Sequence, residues 1–145
     1  MLTIVEKVIL LQEVDIFSEV STEQLSHLAA IVTEEQFAVD EPIYREQDPS
    51  DAMFLVVEGR VRLHRDAKDI DTAEPGQPFG TWALFDDESR VATATPLEEV
   101  RVLRLDKEDF IDLLADNVRI TQGVLKTLVN NYRRLISASA AIGKA

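Results

Sequence analysis

This sequence contains no cysteine, so neither a disulfide framework nor a thiolate zinc site is open to it. Histidine is nearly as scarce, with only His27 and His64. A cupin-like metal barrel needs several histidines on neighbouring strands. Here one lies in a helical stretch and the other in an arginine-flanked strand, so no metal ligand is assigned. Basic residues are outnumbered, 15 Lys and Arg against 27 Asp and Glu, for a formal charge of −12. Sequence-independent nucleic-acid binding and docking on anionic lipid both need a basic face, and neither is expected. Long apolar runs are missing too. Met1 to Leu11 is interrupted by Glu6 and Lys7, too short for a membrane span and unlike a signal peptide. The expectation is a cytoplasmic protein without membrane insertion. No Ser/His/Asp arrangement and no Walker-type loop occurs, so no catalytic residue is assigned and an enzyme is not expected.

What is present fits one ordinary soluble domain: 145 residues, 46% apolar and 29% charged. Within residues 2–12, Val5, Val8 and Ile9 share a helical face. Ser21 reads as the N-cap of a second helix, with Gln24 completing a capping box and Leu25, Leu28, Ala29 and Val32 as its buried stripe. Residues 1–33 therefore form an N-terminal helical segment. From Glu35 the period becomes that of strands. Met53 to Val57 is a continuous apolar run, Arg60 to His64 alternates, and Val91–Thr95 and Val100–Leu105 are the last two strands. Turn residues separate them at Asp48–Asp51, Asp66–Asp69 and Pro75-Gly76. This spacing predicts a mainly β fold, an antiparallel jelly roll (double-stranded β-helix) over residues 34–105, with N-terminal and C-terminal helices flanking it.

Residues 106–145 read as the C-terminal helices. Asp106 caps one that carries Phe110, Leu113 and Leu114. A longer helix starts near Val118. On it Leu125, Leu128, Tyr132, Leu135, Ser139 and Ile142 follow at alternating three- and four-residue steps, a heptad-like seam. The seam either lies on its own barrel or pairs with a second copy of the chain.

The chemistry concentrates between Pro75 and Thr95. A turn leads into Phe79-Gly80, then Thr81-Trp82-Ala83-Leu84, one helical turn. Free N–H groups at such a start, with no Cβ at Gly80, make an anion cradle. Arg90 follows ten residues later and offers a planar fork of donors suited to phosphate. Asp86, Asp87 and Glu88 lie within four residues of Arg90 and are expected to pair with it in the empty protein. Trp82 either packs under the helical turn or walls the pocket. Arg60, Arg62 and Arg65 read as a solvated face balanced by nearby acids.

Those residues, with Pro42-Ile43-Tyr44, Asp48 and Asp51, Met53-Phe54, Glu58-Gly59-Arg60-Val61 and Leu103-Arg104-Leu105-Asp106, resemble a cyclic nucleotide-binding domain. Catabolite activators, cyclic-nucleotide-dependent kinases and gated channels carry such domains. The resemblance spans roughly residues 10–136 and is sharpest in the phosphate-binding cassette at 79–92. It implies a regulatory domain that binds a cyclic nucleotide, cyclic AMP or cyclic GMP, and relays its state through the C-terminal helix. It also implies a homodimer through that helix. The ligand-binding residues would be Phe79, Gly80, Thr81, Trp82, Ala83, Arg90, Val91 and, late in the long helix, Ser139 or Ser137.

Two positions depart from the family pattern. Thr81 stands where ligand-binding members place a Glu that holds the ribose 2′-hydroxyl, and Val91 replaces a Ser or Ala. Two loop glycines are replaced by Asp40 and Gln47. Binding is therefore expected to be weak. The alternative is a degenerate domain that binds no nucleotide and serves as a dimerisation or docking module. The chain ends without the helix-turn-helix of transcriptional members, which suggests a stand-alone module or a piece of a larger protein. Its flanks resemble domains attached to HEAT-repeat or transporter-like bacterial proteins.

Overall fold

The computed structural model describes the backbone through Lys144 and the side chains through Ser139. Three helical pieces come first: α1 (Ile4–Gln12), a 3-10 turn (Asp15–Phe17) and α2 (Thr22–Ile31). Then follow β1 (Thr33–Phe37), β2 (Ala52–Glu58), β3 (Val61–Arg65), β4 (Lys68–Ala73) and β5 (Pro78–Phe79). A second 3-10 turn (Thr81–Leu84) precedes β6 (Thr93–Pro96) and β7 (Val100–Asp106), and α3 (Lys107–Asp116) and α4 (Val118–Lys144) close the chain. The strands form two sheets, ordered β1-β7-β2-β5 and β4-β3-β6, with every pair antiparallel. The expected antiparallel β fold with helices at both ends is what the chain adopts. Among the described residues, no helix is long and apolar enough to cross a membrane.

The apolar run in β2 is continuous because that strand is buried on both faces. Met53 and Leu55 join a core with Leu11, Phe17, Leu28, Phe110 and Ile120, on the helical side. Phe54 and Val56 point the other way, between the sheets, with Val61, Phe79, Ala94 and Val102. Each such side chain contributes about 1.5–3 kcal/mol by leaving water. β2 thus binds the helices and the second sheet into one unit, and β5 hydrogen-bonds to it through the Phe54–Phe79 pair. That pairing sets where the following turn begins.

Several local expectations are corrected. Thr3 and Glu6 make a reciprocal capping box on α1, and its buried face is Val8 and Leu11, while Val5 and Ile9 are exposed. Ser21 does accept the Gln24 N–H, at 3.3 Å, but Gln24 does not reach back. Asp106 occupies the N-cap of α3 without capping it, because its carboxylate takes Arg104 Nε at 2.7 Å. β6 begins at Thr93, so Val91 lies in the preceding loop. On α4 Ile120, Gly123, Val124 and Thr127 are buried and seat the helix on the domain. The seam residues Leu125, Leu128, Tyr132 and Leu135 are exposed, so the seam does not lie on its own barrel. The Ile142 side chain falls outside the described residues.

Candidate functional site

The helical turn after β5 starts at Gly80, whose φ of +70° only glycine adopts without strain. A side chain there would also have no room, since a Cβ would meet Arg90 Nη1 at 2.6 Å. The turn is 3-10 in type: the Ala83 N–H is bonded to the Gly80 carbonyl at 3.2 Å. Ala83 is therefore not a free donor, contrary to expectation. The N–H groups of Thr81 and Trp82 have no partner among the described residues.

Arg90 reaches the same place from a pinned loop. Its N–H donates to the Asp48 carbonyl and its carbonyl accepts the Gln47 N–H, both at 2.8 Å. Asp48 in turn caps the Arg45 N–H through its carboxylate. Gln47 and Asp40 adopt left-handed φ of +73° and +65°, the conformations that the family's glycines would supply. The Arg90 side chain is only 4% exposed. Nη2 donates to the Ala52 carbonyl at 2.6 Å, Nη1 to the Gly80 carbonyl at 3.4 Å, and Tyr44 lies across the guanidinium at 4.0 Å. Nε is buried with no partner. Burial lowers the Arg90 pKa and raises that of Tyr44, yet an arginine remains charged under any ordinary condition.

The acidic triplet does not pair with Arg90. Asp87 goes to Lys107 Nζ at 2.5 Å, and Asp86 accepts the Glu88 N–H. The carboxylate nearest Arg90 is that of Asp51, at 3.9 Å. Asp87 is drawn off to Lys107 and the other two do not reach the guanidinium, so closeness in sequence brings no ion pair.

Above Arg90 opens a cavity of about 800 Å³. Gly80, Thr81, Trp82, Arg90 and Val91 all line it, so five of the sequence-assigned residues come together. Phe79 does not line it; it is buried and stacked on Phe54 at 5.3 Å. Ala83 is buried behind the turn. Ser137 and Ser139 are exposed on α4 and are not among the lining residues. Trp82 does not pack under the turn: it is 73% exposed at the mouth, where Ile70 and Val91 are also exposed.

The opposite wall comes from β3 and β4, where Leu63 faces Asp71 across the pair. Arg65, also on the wall, donates Nε to the Val91 carbonyl at 2.8 Å. Sequence reasoning placed Arg65 on a solvated face; Arg60 and Arg62 do pair with Glu98 and Asp69 there. It also missed Tyr44, Glu46 and Asp71 as lining residues. His64 is tied to the Asp66 carbonyl and Thr95 Oγ1, and no metal-holding cluster exists among the described residues.

Comparison with known proteins gives the same picture. The profile for "Cyclic nucleotide-binding domain" matches residues 34–117. The chain is 25% identical over 130 residues to a CRP-like cAMP-activated global transcriptional regulator of Mycobacterium tuberculosis, covering 86% of this chain and 58% of that protein. It is 30% identical over 113 residues to a cAMP-dependent protein kinase regulatory subunit of Dictyostelium discoideum, covering 72% of this chain and 33% of that protein. The chain therefore spans only part of the curated relatives it matches. Among solved structures, the N-terminal domain of a transcriptional regulator from Streptomyces coelicolor A3(2) superposes with a TM-score of 0.78 at 29% identity, covering 86% of this chain and 90% of that one. The matched profile takes in more than half of the chain, from β1 through α3, and this chain belongs to the cyclic nucleotide-binding domain family, a family of non-catalytic sensor domains.

Proposed function

We propose that this domain binds a cyclic nucleotide, cyclic AMP before cyclic GMP, with the phosphate on Arg90 and the open N–H groups of Thr81 and Trp82. The observation that carries the reading is Arg90: a buried cation with an unpartnered Nε, held against an 800 Å³ cavity beside a glycine that leaves no Cβ in the way. The names of the relatives, one cAMP-activated and one cAMP-dependent, favour cyclic AMP. Trp82 and Val91 line the mouth and would cover the rest of the ligand.

Binding is weak in this reading. Thr81 offers a neutral hydroxyl where a carboxylate would accept from the ribose. Losing a hydrogen bond to a charged group costs about 1.5–3 kcal/mol, roughly ten- to hundredfold in affinity. The cavity wall adds four carboxylates, Glu46, Asp71, Asp86 and Glu88, against two guanidinium groups, Arg65 and Arg90. The ligand's state is passed to α4, whose exposed stripe of Leu125, Leu128, Tyr132 and Leu135 joins two copies into a dimer. The domain works in the cytoplasm as part of a regulator and does not itself contact nucleic acid.

One feature favours the alternative of a module that has lost its ligand. Two of the Arg90 nitrogens already serve backbone carbonyls, so the arginine holds the fold together without any nucleotide. Calorimetric titration of cyclic AMP and cyclic GMP into wild type and Arg90→Ala separates the two. Saturable binding in wild type and none in a folded Arg90→Ala supports the sensor. Silence of wild type at millimolar nucleotide leaves the docking module.

A further inference from the structure

The carboxylates that line the cavity are not equivalent. Asp71 accepts the Thr72 N–H at 2.8 Å and Asp86 the Glu88 N–H at 3.1 Å. Glu88 stands exposed on the cassette loop. Glu46 differs from all three: it is half-buried, and its carboxylate has no hydrogen-bond or ion-pair partner among the described residues.

Its backbone is fixed with unusual care. The Glu46 N–H donates to Thr93 Oγ1 at 3.0 Å. The Asp48 N–H closes the turn onto the Arg45 carbonyl at 3.0 Å, and the left-handed Gln47 donates to the Arg90 carbonyl at 2.8 Å. Two residues before Glu46, Tyr44 covers the Arg90 guanidinium at 4.0 Å. The same turn therefore carries the ring that positions the cation and a carboxylate that faces the same cavity. Glu46 does not pair with Arg90, whose nearest carboxylate is Asp51.

An unpartnered carboxylate on a cavity wall is free to accept a hydrogen bond from whatever occupies the cavity. Beside a phosphate site it also repels the anion. A ligand hydroxyl that donates to it offsets that repulsion. In a 3′,5′-cyclic nucleotide the 2′-hydroxyl is the donor adjacent to the cyclic phosphate, and position 81 has no carboxylate to receive it. We propose that Glu46 is the ribose-binding carboxylate of this domain, accepting the 2′-hydroxyl in place of a carboxylate at position 81. The assignment rests on the cavity being a cyclic nucleotide site, and it recovers part of the affinity that Thr81 gives up.

The test uses two probes, cyclic AMP and 2′-deoxy cyclic AMP, titrated calorimetrically into wild type, Glu46→Ala, Glu46→Gln and Arg90→Ala, with circular dichroism to verify folding. Wild type should bind cyclic AMP about tenfold or more tighter than the deoxy analogue, the effect of one hydrogen bond to a charged group. Glu46→Ala should bind both equally, Glu46→Gln should keep a reduced preference, and adding Thr81→Glu to Glu46→Ala should restore it. If the preference survives in Glu46→Ala, another group holds the ribose and the assignment is wrong. Equal binding of the two probes by wild type, still lost in Arg90→Ala, also overturns it while leaving the phosphate site standing. Failure of wild type to bind either probe overturns the assignment and the sensor reading together.

Discussion

Alanine placed at Gly80 and at Gly76 separates the backbone demands of the turn from its contact with Arg90. Both glycines are left-handed, at φ +70° and +87°. A Cβ in that region costs about 1–2 kcal/mol through its clash with the neighbouring carbonyl. At Gly76 nothing lies within 4 Å of a new Cβ, so the cost ends there. At Gly80 the Cβ would stand 2.6 Å from Arg90 Nη1, and 3.4 Å from both the Ala52 carbonyl and Tyr44 Oη. A guanidinium is normally free to swing aside. This one is enclosed by the Tyr44 ring and bonded to Ala52, so moving it breaks a charge-assisted hydrogen bond worth about 1.5–3 kcal/mol. Gly80→Ala should therefore destabilise by roughly 2.5–5 kcal/mol, against about 1–2 for Gly76→Ala. Urea unfolding at unchanged slope reads the two values, and cyclic AMP titration of the folded proteins reads the second consequence. Gly76→Ala should bind like wild type and Gly80→Ala should not. Equal losses of stability, or full affinity in Gly80→Ala, would refute the idea that this glycine exists to seat Arg90.

Other changes test other joints of the structure. Phe110 is fully buried against Phe17 and Phe85, and Phe110→Ala should cost about 3–5 kcal/mol by denaturant unfolding. A helix interior normally gains about 1 kcal/mol from Gly→Ala, but Gly123→Ala should gain nothing, because the Cβ meets the Glu19 carbonyl at 2.9 Å; a clear rise in melting temperature would contradict this. Leu128→Glu should convert a dimer to a monomer in light scattering, and a wild-type monomer at high concentration would rule out the α4 stripe as an interface. The hydrogen bond and charge of Lys107 hold the Asp87 pKa below its ordinary value. That contribution to stability is present above the unfolded aspartate pKa and fades as pH falls through the folded one. Asp87→Asn should accordingly flatten the acid limb of a stability–pH curve, and an unchanged limb would count against the pair.

The fold was legible because its signals are local or periodic. The switch from helical to strand period near Glu35, and back at Asp106, needs no knowledge of what the segments touch. Errors arose wherever a side chain had a choice of distant partners. Asp106 looks like a cap, and it is one by position, but Arg104 on the same strand competes for the carboxylate and wins at 2.7 Å. Val5 and Ile9 look buried by spacing, yet the face that meets the domain is set by where α2 and the 3-10 turn lie, and they take Val8 and Leu11 instead. A seam on α4 was visible, but the sequence does not say which of two apolar faces the domain will occupy.

The site divides along the same line. Gly80 and Arg90 stand out because backbone freedom and guanidinium chemistry are properties of single residues. The expected competition between Arg90 and the acidic triplet failed because it treated nearness along the chain as nearness in space. The loop turns Arg90 inward under Tyr44, while Asp87 pairs with Lys107 and Asp86 and Glu88 line the cavity without reaching the guanidinium. Gln47 is the most instructive position. Its left-handed conformation costs an ordinary residue about 1–2 kcal/mol, and the sequence marks it only as an uncomfortable replacement for glycine. In the folded chain that strained residue is the one whose N–H holds the Arg90 carbonyl, and it directly follows Glu46 on the cavity wall. The strain persists because the bonds from Thr93, Arg90 and Asp48 over-determine the turn. Such an arrangement holds the backbone under Glu46 in fixed register with that of Arg90, and a rigid backbone of this kind is what a site for one particular small ligand requires.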